Sequence, residues 1–324
     1  MLNDTEFEFE SQTRELHDYR NGKERPWKEK KEQNTVYAKY LAMLRYLKRS
    51  RVSQCADVLR FAITDTGHLK LKQTWFCKSR LCPMCAWRRS IKYAVDTSKI
   101  IEEAVKREPK GRWLFLTLTT KNTTNANDLS DEIKEYSVAL RKMLRGKALK
   151  DTVLGFSRGI EVTVNKENGT YNQHMHVLLF VKSTYFVRGN YLSQTKWVQL
   201  WRKAMKLDYD PRVDVRAMKG DNADERFKSV LEVAKYPVKS RDYLSGDDEE
   251  ANLKTVNDLE NALHRKRLTA FGGLLKVIQK ELNIEEIDSD KADLIATGEE
   301  VEKEEETGRE LVATWSHTHK NYYY

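Results

Sequence analysis

A chain of 324 residues with a net charge of +9 can bury a real core, yet no apolar run approaches the roughly 18 residues of a membrane span. Met1–Glu10 is acidic and lacks the basic-then-apolar order of a secretory signal, so a cytoplasmic protein is expected. Glu285–Glu310 holds twelve acids and three bases, −9 by itself; the rest therefore carries +18, a surplus that suits a polyanionic partner.

Residues 1–34 are polar, contain Gly22 and Pro26, and read as a mobile arm. From Val36 a helix is predicted, because Tyr37, Tyr40, Leu41, Leu44 and Leu47 fall at helical spacing. Its other positions include Lys39, Arg45, Lys48 and Arg49, either a solvated basic face or a surface turned to DNA. All four cysteines follow within 31 residues, in the pattern Cys55…Cys77-x4-Cys82-x2-Cys85. Disulfides rarely persist in the cytosol, so the cluster reads as a metal site, with four thiolates enough for closed tetrahedral Zn²⁺. His68 is an alternative fourth ligand if Cys55 points elsewhere. Arg80, Trp87, Arg88 and Arg89 nearby combine cations and an aromatic ring, as phosphate contact and base stacking require.

A helix to about Lys106 leads into the strand Trp113–Thr119, apolar and then alternating with threonine. Ser130 is placed to cap a helix with the apolar face Ile133, Tyr136, Leu140 and Leu144. Strands Gly159–Val164 and His174–Val181 form a hairpin, followed by a helix over Gln194–Met205 and a short strand, Val213–Arg216. A helix starts near Ala223, and Asn257–Leu282 reads as another, broken at Gly272-Gly273. The acidic end has little apolar content and is expected to be largely disordered. These elements give an α+β class with a central antiparallel sheet flanked by helices.

The sharpest motif is His174-Met-His176-Val-Leu-Leu-Phe180. Strand side chains alternate, so both histidines share one face while Met175, Val177 and Leu179 turn to a core. With Asn168-Gly169 as a two-residue type I′ turn, Glu161 lies opposite His176 and Thr163 opposite His174. Two imidazoles and a carboxylate suit Mn²⁺ or Mg²⁺ with positions left open for water and phosphate. Further on, Leu231-Glu-Val-Ala-Lys-Tyr-Pro-Val-Lys239 offers a nucleophile, Tyr236, with Glu232 one helical turn before it and Lys235 and Lys239 as cations.

Four ordered motifs, Cys77–Arg89, Phe115-Leu-Thr-Leu-Thr119, His174–Leu179 and Glu232–Lys239, together resemble the rolling-circle replication initiators of small Gram-positive plasmids. These belong to the nucleases defined by a His-hydrophobic-His strand. The resemblance covers most of the chain. It implies that Tyr236 attacks a phosphodiester in a hairpin at the plasmid's double-strand origin, stays on the 5′-phosphate and frees a 3′-OH. In the single-tyrosine branch a glutamate four residues earlier activates water in termination, the position Glu232 holds; Tyr243 would be the second tyrosine of a two-tyrosine alternative. Host helicase and DNA polymerase are the implied partners. On this basis the chain divides into a basic arm and helix (1–50), a cysteine-rich zinc and DNA-binding region (51–110), a nuclease core (111–245), a helical extension (246–284) and an acidic tail (285–324). A relaxase or transposase of the same fold is a competing expectation, though relaxases carry their tyrosine near the N-terminus. A zinc-stabilised DNA-binding regulator without catalysis is another.

Overall fold

The computed structural model describes residues 13–20, 22–218, 230–231, 233–234, 238–244, 248–289, 292–298 and 304–324. The first half of the chain forms β1 (Tyr19–Arg20), β2 (Lys23–Glu24), α1 (Trp27–Met43), α2 (Arg49–Ser53), β3 (Val58–Thr64), β4 (Leu69–Gln73), α3 (Pro83–Arg107), β5 (Arg112–Thr119) and α4 (Ala126–Leu144). The second forms β6 (Val153–Asn165), β7 (Thr170–Val181), α5 (Gln194–Met205), β8 (Val213–Ala217), α6 (Ser240–Leu244), α7 (Glu249–Ala262), β9 (Thr269–Gly273), α8 (Leu274–Glu281), β10 (Glu306–Ser316) and β11 (Asn321–Tyr323). The chain separates into two units, Met1–Arg88 with Asp293–Tyr324, and Arg89–Ala292. The α+β class with antiparallel sheets is as expected; the divisions between segments differ.

The contiguous unit is built on a five-stranded antiparallel sheet in the order β8-β5-β7-β6-β9. Period-two alternation sorts its residues cleanly. Leu114, Leu116 and Leu118 of β5, Ile160 and Val162 of β6, and Met175, Val177 and Leu179 of β7 are all buried on one face. Helices α4 and α5 pack there. Tyr136 of α4 and Trp201 of α5 meet edge to face at 5.4 Å, and their polar ends bond the backbone oxygens of Gln173 and Thr119. Asn125 caps α4 through Asp128 N–H, so the helix starts before Ser130. The opposite sheet face holds both histidines and Glu161.

Two expectations for this unit are corrected. The stretch read as a broken helix at Gly272-Gly273 contains β9, which pairs with β6 from Gly155↔Gly273 to Gly159↔Thr269. The sheet therefore draws on the segment assigned to a helical extension. The β6–β7 hairpin closes at Asn165↔Thr170, and its register opposes Glu161 to His174 and Thr163 to Asn172. The loop is four residues long because Asn165 and Asn168 side chains accept backbone N–H groups of Glu167 and Thr170, with Gly169 left-handed at φ +64°. The register differs from the expected one by two residues. An even shift keeps every side chain on its face, so Glu161 still shares the histidines' side.

The discontinuous unit carries a four-stranded antiparallel sheet, β11-β10-β3-β4. The end of the chain is therefore ordered in strands, contrary to the disorder expected of an acidic tail. Leu311, Ala313 and Trp315 of β10 lie opposite Phe61, Leu59 and, on β11, Tyr322. Ala313, Trp315 and Tyr322 are buried. Alternation after Gly308 outweighs the preceding charge, and that charge is neutralised locally: Glu306 bonds Lys70 and Lys72 at 2.9 and 3.0 Å, and Glu304 bonds His68 at 2.6 Å. The described part of the N-terminal arm, residues 13–20 and 22–34, packs into the unit too. Arg14 and Leu16 N–H groups donate to Tyr324 and Tyr322, and Trp27, 2% exposed, donates to Asp18 at 2.8 Å.

Trp315→Ala should therefore cost about 3–5 kcal/mol, whereas Val312→Ala on the solvent face should stay within about 0.5 kcal/mol. Thermal denaturation of the full chain distinguishes them; equal melting temperatures would contradict the inward role of β10.

Candidate functional site

On β7 the two histidines sit two residues apart, and the β6 partner of His174 is Glu161. One carboxylate oxygen, Glu161 Oε2, lies 3.1 Å from His174 Nε2 and 3.3 Å from His176 Nε2. The other, Oε1, lies 3.4 Å from Lys239 Nζ. Glu161 is 5% exposed. Burial alone would raise its carboxyl, but hydrogen bonds from both histidines and the charges of His174 and Lys239 outweigh it, holding the group far below the usual carboxylate range. It is thus an ionised acceptor at neutral pH, and each of the three residues offers one donor atom within 4.8 Å of the others. Neutral imidazole nitrogens and a carboxylate are the donor set of a borderline or hard divalent cation, and these residues fit one.

The neighbours fix the ring of His176. Thr117 Oγ1 lies 3.2 Å from His176 Nδ1, and the Phe115 ring stacks on the imidazole at 5.6 Å. Both come from β5, where Thr117 is the register partner of His176. With a cation bound, a hydroxyl accepting the Nδ1 proton would leave the Nε2 lone pair free for it, in place of the proton that Nε2 otherwise shares with Glu161. Thr117 was not among the residues expected at the site; its period-two phase with Phe115 on β5 is the signal in the sequence that marks it.

Described residues on either side of the candidate nucleophile come to the same face. Gly159, beside His176 on β6, lets the backbone approach closely: a Cβ there would stand 2.2 Å from the Val233 carbonyl oxygen. Ser90 on α3 donates to the next carbonyl, Ala234, at 2.6 Å. Beyond it, Lys239 bonds Glu161, while Tyr243 is buried at 1% exposure. Glu232, Lys235 and Tyr236 lie outside the described residues, as does the helix expected from Ala223.

The four cysteines meet in the other unit. All are buried and none is in a disulfide. Sγ separations of 3.5 Å (Cys55–Cys85), 3.6 Å (Cys55–Cys82) and 3.7 Å (Cys77–Cys85) are far beyond a disulfide bond. They match the edge of about 3.8 Å that Zn–S bonds of ~2.3 Å impose on a tetrahedron. Backbone N–H groups of Cys77 and Lys78 and the Asn34 amide donate to three of the sulfurs. Burial would raise the Cys82 thiol, but hydrogen bonds from the other three cysteines hold it well below its ordinary value. Burial and the neighbouring sulfurs push Cys55 up. Cys55 thus completes the set, and His68 does not: it sits in the β3–β4 turn, bonded to Thr66 and Glu304. Lys31, fully buried, supports this corner by donating to the carbonyls of Ser53 and Cys55 at 2.7 and 2.8 Å.

Of the four residues expected to touch DNA, two are corrected. Arg88 is 0% exposed and donates to the Leu294 and Ile295 carbonyls, and Trp87, 7% exposed, packs edge to face on Trp27 at 4.7 Å. Their apolar and hydrogen-bonding capacity is used inside the unit. Arg80 and Arg89 are half-buried.

Fold and clusters together define a two-unit α+β protein, with a Glu-His-His cluster able to hold a cation on the central strands of one unit and a buried four-cysteine cluster able to hold one in the other. The chain belongs to the Rep_1 family of replication proteins, whose model matches residues 68–323. It is 47% identical over 309 residues to "Protein rep" of Lactiplantibacillus plantarum, covering 94% of this chain and 96% of the relative. It is 40% identical to "Protein rep" of Streptococcus pneumoniae (94% and 93% covered) and 44% identical to a "Replication protein" of Staphylococcus aureus (72% and 99% covered). No solved structure matches it. Among the described residues no helix is long and apolar enough to cross a membrane.

Two outcomes are expected. Thr117→Val should weaken Mn²⁺ binding about 10- to 100-fold, with Thr117→Ser restoring most of it; calorimetric titration of the purified chain checks this, and an unchanged affinity would remove Thr117 from the site. Metal analysis should find about one tightly held zinc per chain, lost together with fold stability in Cys82→Ser.

Proposed function

We propose that this chain, a plasmid replication protein, starts rolling-circle replication by nicking one strand of the double-strand origin. The observation that supports it best is the convergence of Glu161, His174, His176 and Lys239 on one sheet face, with chain on both sides of Tyr236 (Val233 and Lys239) held at that face. In the sequence Tyr236 stands two residues from Ala234 and two from Val238.

In this reading the Tyr236 phenolic oxygen attacks the scissile phosphorus. The new bond is a 5′-phosphotyrosine, the P–O3′ bond breaks, and the phenolic proton is balanced by the one taken up at the departing 3′ oxygen. A divalent cation, Mn²⁺ or Mg²⁺, held by His174, His176 and Glu161 would polarise the phosphate as a Lewis acid. Lys239, kept beside Glu161, adds fixed positive charge where negative charge gathers in the transition state, and Lys235 is a second candidate for that role. The 3′-OH then primes a host polymerase, with a host helicase opening the duplex ahead, which places the work in the cytoplasm. Termination needs another nucleophile. Glu232, four residues before Tyr236, is assigned to take a proton from the attacking water. Zn²⁺ on Cys55, Cys77, Cys82 and Cys85 would act as a structural crosslink of the other unit.

The test is incubation with supercoiled plasmid carrying its own origin. Wild type should yield nicked circles with protein on the 5′ end, whereas Tyr236→Phe should yield neither nick nor adduct while binding DNA within a few-fold of wild type. A full adduct yield from Tyr236→Phe would transfer the nucleophile elsewhere. Glu232→Gln should nick at a normal rate yet give multimeric single strands instead of unit-length circles in a replication assay; unit-length product would sink the termination role.

A further inference from the structure

Between Thr35 and Ala56 the chain has five cations and no acid. The structure places the centre of this run at an abrupt corner. Helix α1 stops at Met43, Arg45 turns left-handed at φ +58°, and the Tyr46 N–H reaches back to the Leu41 carbonyl at 2.9 Å, a closed C-terminal turn. Helix α2 begins at Arg49. At the corner stands Leu47, 101% exposed, the most exposed large hydrophobic side chain among the described residues. Arg45, Arg49 and Arg51 around it are exposed, and no carboxylate pairs with them among the described residues.

The corner is rigidly founded. Val52 of α2 is fully buried, its carbonyl accepts from Asn34 at 2.9 Å, and the Ser53 carbonyl accepts from Lys31. Lys48 donates to Ser79 Oγ at 3.2 Å, and the same oxygen meets Tyr37 Oη at 3.0 Å. A fully exposed leucine held on a fixed turn gains nothing from folding, and three arginines that no described carboxylate pairs with repel one another. Both features gain from a polyanion with an apolar interior.

We propose that the corner Arg45–Arg51 is a duplex-DNA docking element, in which Arg45, Arg49 and Arg51 bind phosphates on either side of a groove and Leu47 enters it as an apolar wedge against the base stack. Wedges of this kind partly unstack a base step and bend the duplex, and flanking arginines hold the backbones that the bend brings near. The element is distinct from the cation cluster and from the four-cysteine site. It rests on the reading that this protein works on DNA.

The test uses the full-length chain and a mixed-sequence duplex of about 30 base pairs, labelled at both ends so that anisotropy reports binding and energy transfer reports bending. Wild type should bind with a steep loss of affinity as salt rises. The variant Arg45→Gln/Arg49→Gln/Arg51→Gln should flatten the slope of log K against log salt by about 2–3, since each phosphate contact contributes ~0.9. Leu47→Ala should keep the wild-type slope, lower affinity by about tenfold, as expected when most of a leucine no longer leaves water, and lose the change in end-to-end distance. All four positions are exposed, so melting temperatures should match wild type. A wild-type slope in the triple variant overturns the phosphate contacts, and unchanged affinity and bending in Leu47→Ala overturn the wedge. Vesicles containing phosphatidylserine are run in parallel; loss of vesicle binding with DNA binding intact would assign the corner to a membrane surface and overturn the proposal. If wild type binds no duplex even at low salt, the replication reading itself fails, a result distinct from wild-type binding with indifferent variants.

Discussion

The β6–β7 pairing is the constraint from which the Glu-His-His cluster follows. Strand β7 must satisfy two demands with one alternation: Met175, Val177 and Leu179 fill the core under α4 and α5, and His174 and His176 are thereby turned to the other side. The β6 register then decides which side chain meets them. Because the period is two, any odd displacement would put Ile160 or Val162 beside the imidazoles and Glu161 into the core. The same pairing carries Gly159 to the row of His176, where the missing Cβ admits the Val233 backbone. The Glu-His-His cluster and the close approach of the Val233 backbone thus come from one hairpin.

How much of this was legible depends on whether a feature is local. The histidine pair needs only alternation, and the helix Gln194–Met205 needs only amphipathic spacing; both stand in the structure as read. The partner of His174 depends on a turn, and Asn168-Gly169 was a misleading cue because Asn165 and Asn168 both cap the backbone and lengthen the loop. Strand β9 was hidden for another reason: Thr269–Gly273 is short, glycine-ended and stable only as an addition to β6. The largest misreading concerned the C-terminal strands. Averaged charge across residues 285–324 obscured the alternation Leu311, Ala313, Trp315, and the lysines that offset the acids lie some 240 residues earlier.

Charge and aromatic content near the cysteines were also ambiguous at the level of sequence. Trp87 and Arg88 have the composition of a nucleic-acid contact, yet a guanidinium is equally able to tie off carbonyls in a dry interior, and Arg88 does so at Leu294. Exposure separates the two roles, and periodicity alone cannot supply it. The converse holds at Leu47, whose helical spacing with Leu44 and Leu41 suggested a core position, whereas the left-handed turn at Arg45 takes it out of phase and into solvent.

The discontinuous unit has a consequence for biosynthesis. Phe61 of β3 pairs with Leu311 of β10, about 250 residues later, and the contiguous unit is threaded between them. During translation, at roughly 5–20 residues per second, the cysteine cluster and β3 would therefore wait tens of seconds for their closing strand, while the intervening sheet already has all its strands. The loop entropy of so distant a closure grows only logarithmically, so stability suffers little, but the rate is sensitive to anything that occupies the open edge of β3 meanwhile. Closure of that four-stranded sheet can therefore come only after every strand of the intervening unit has been made.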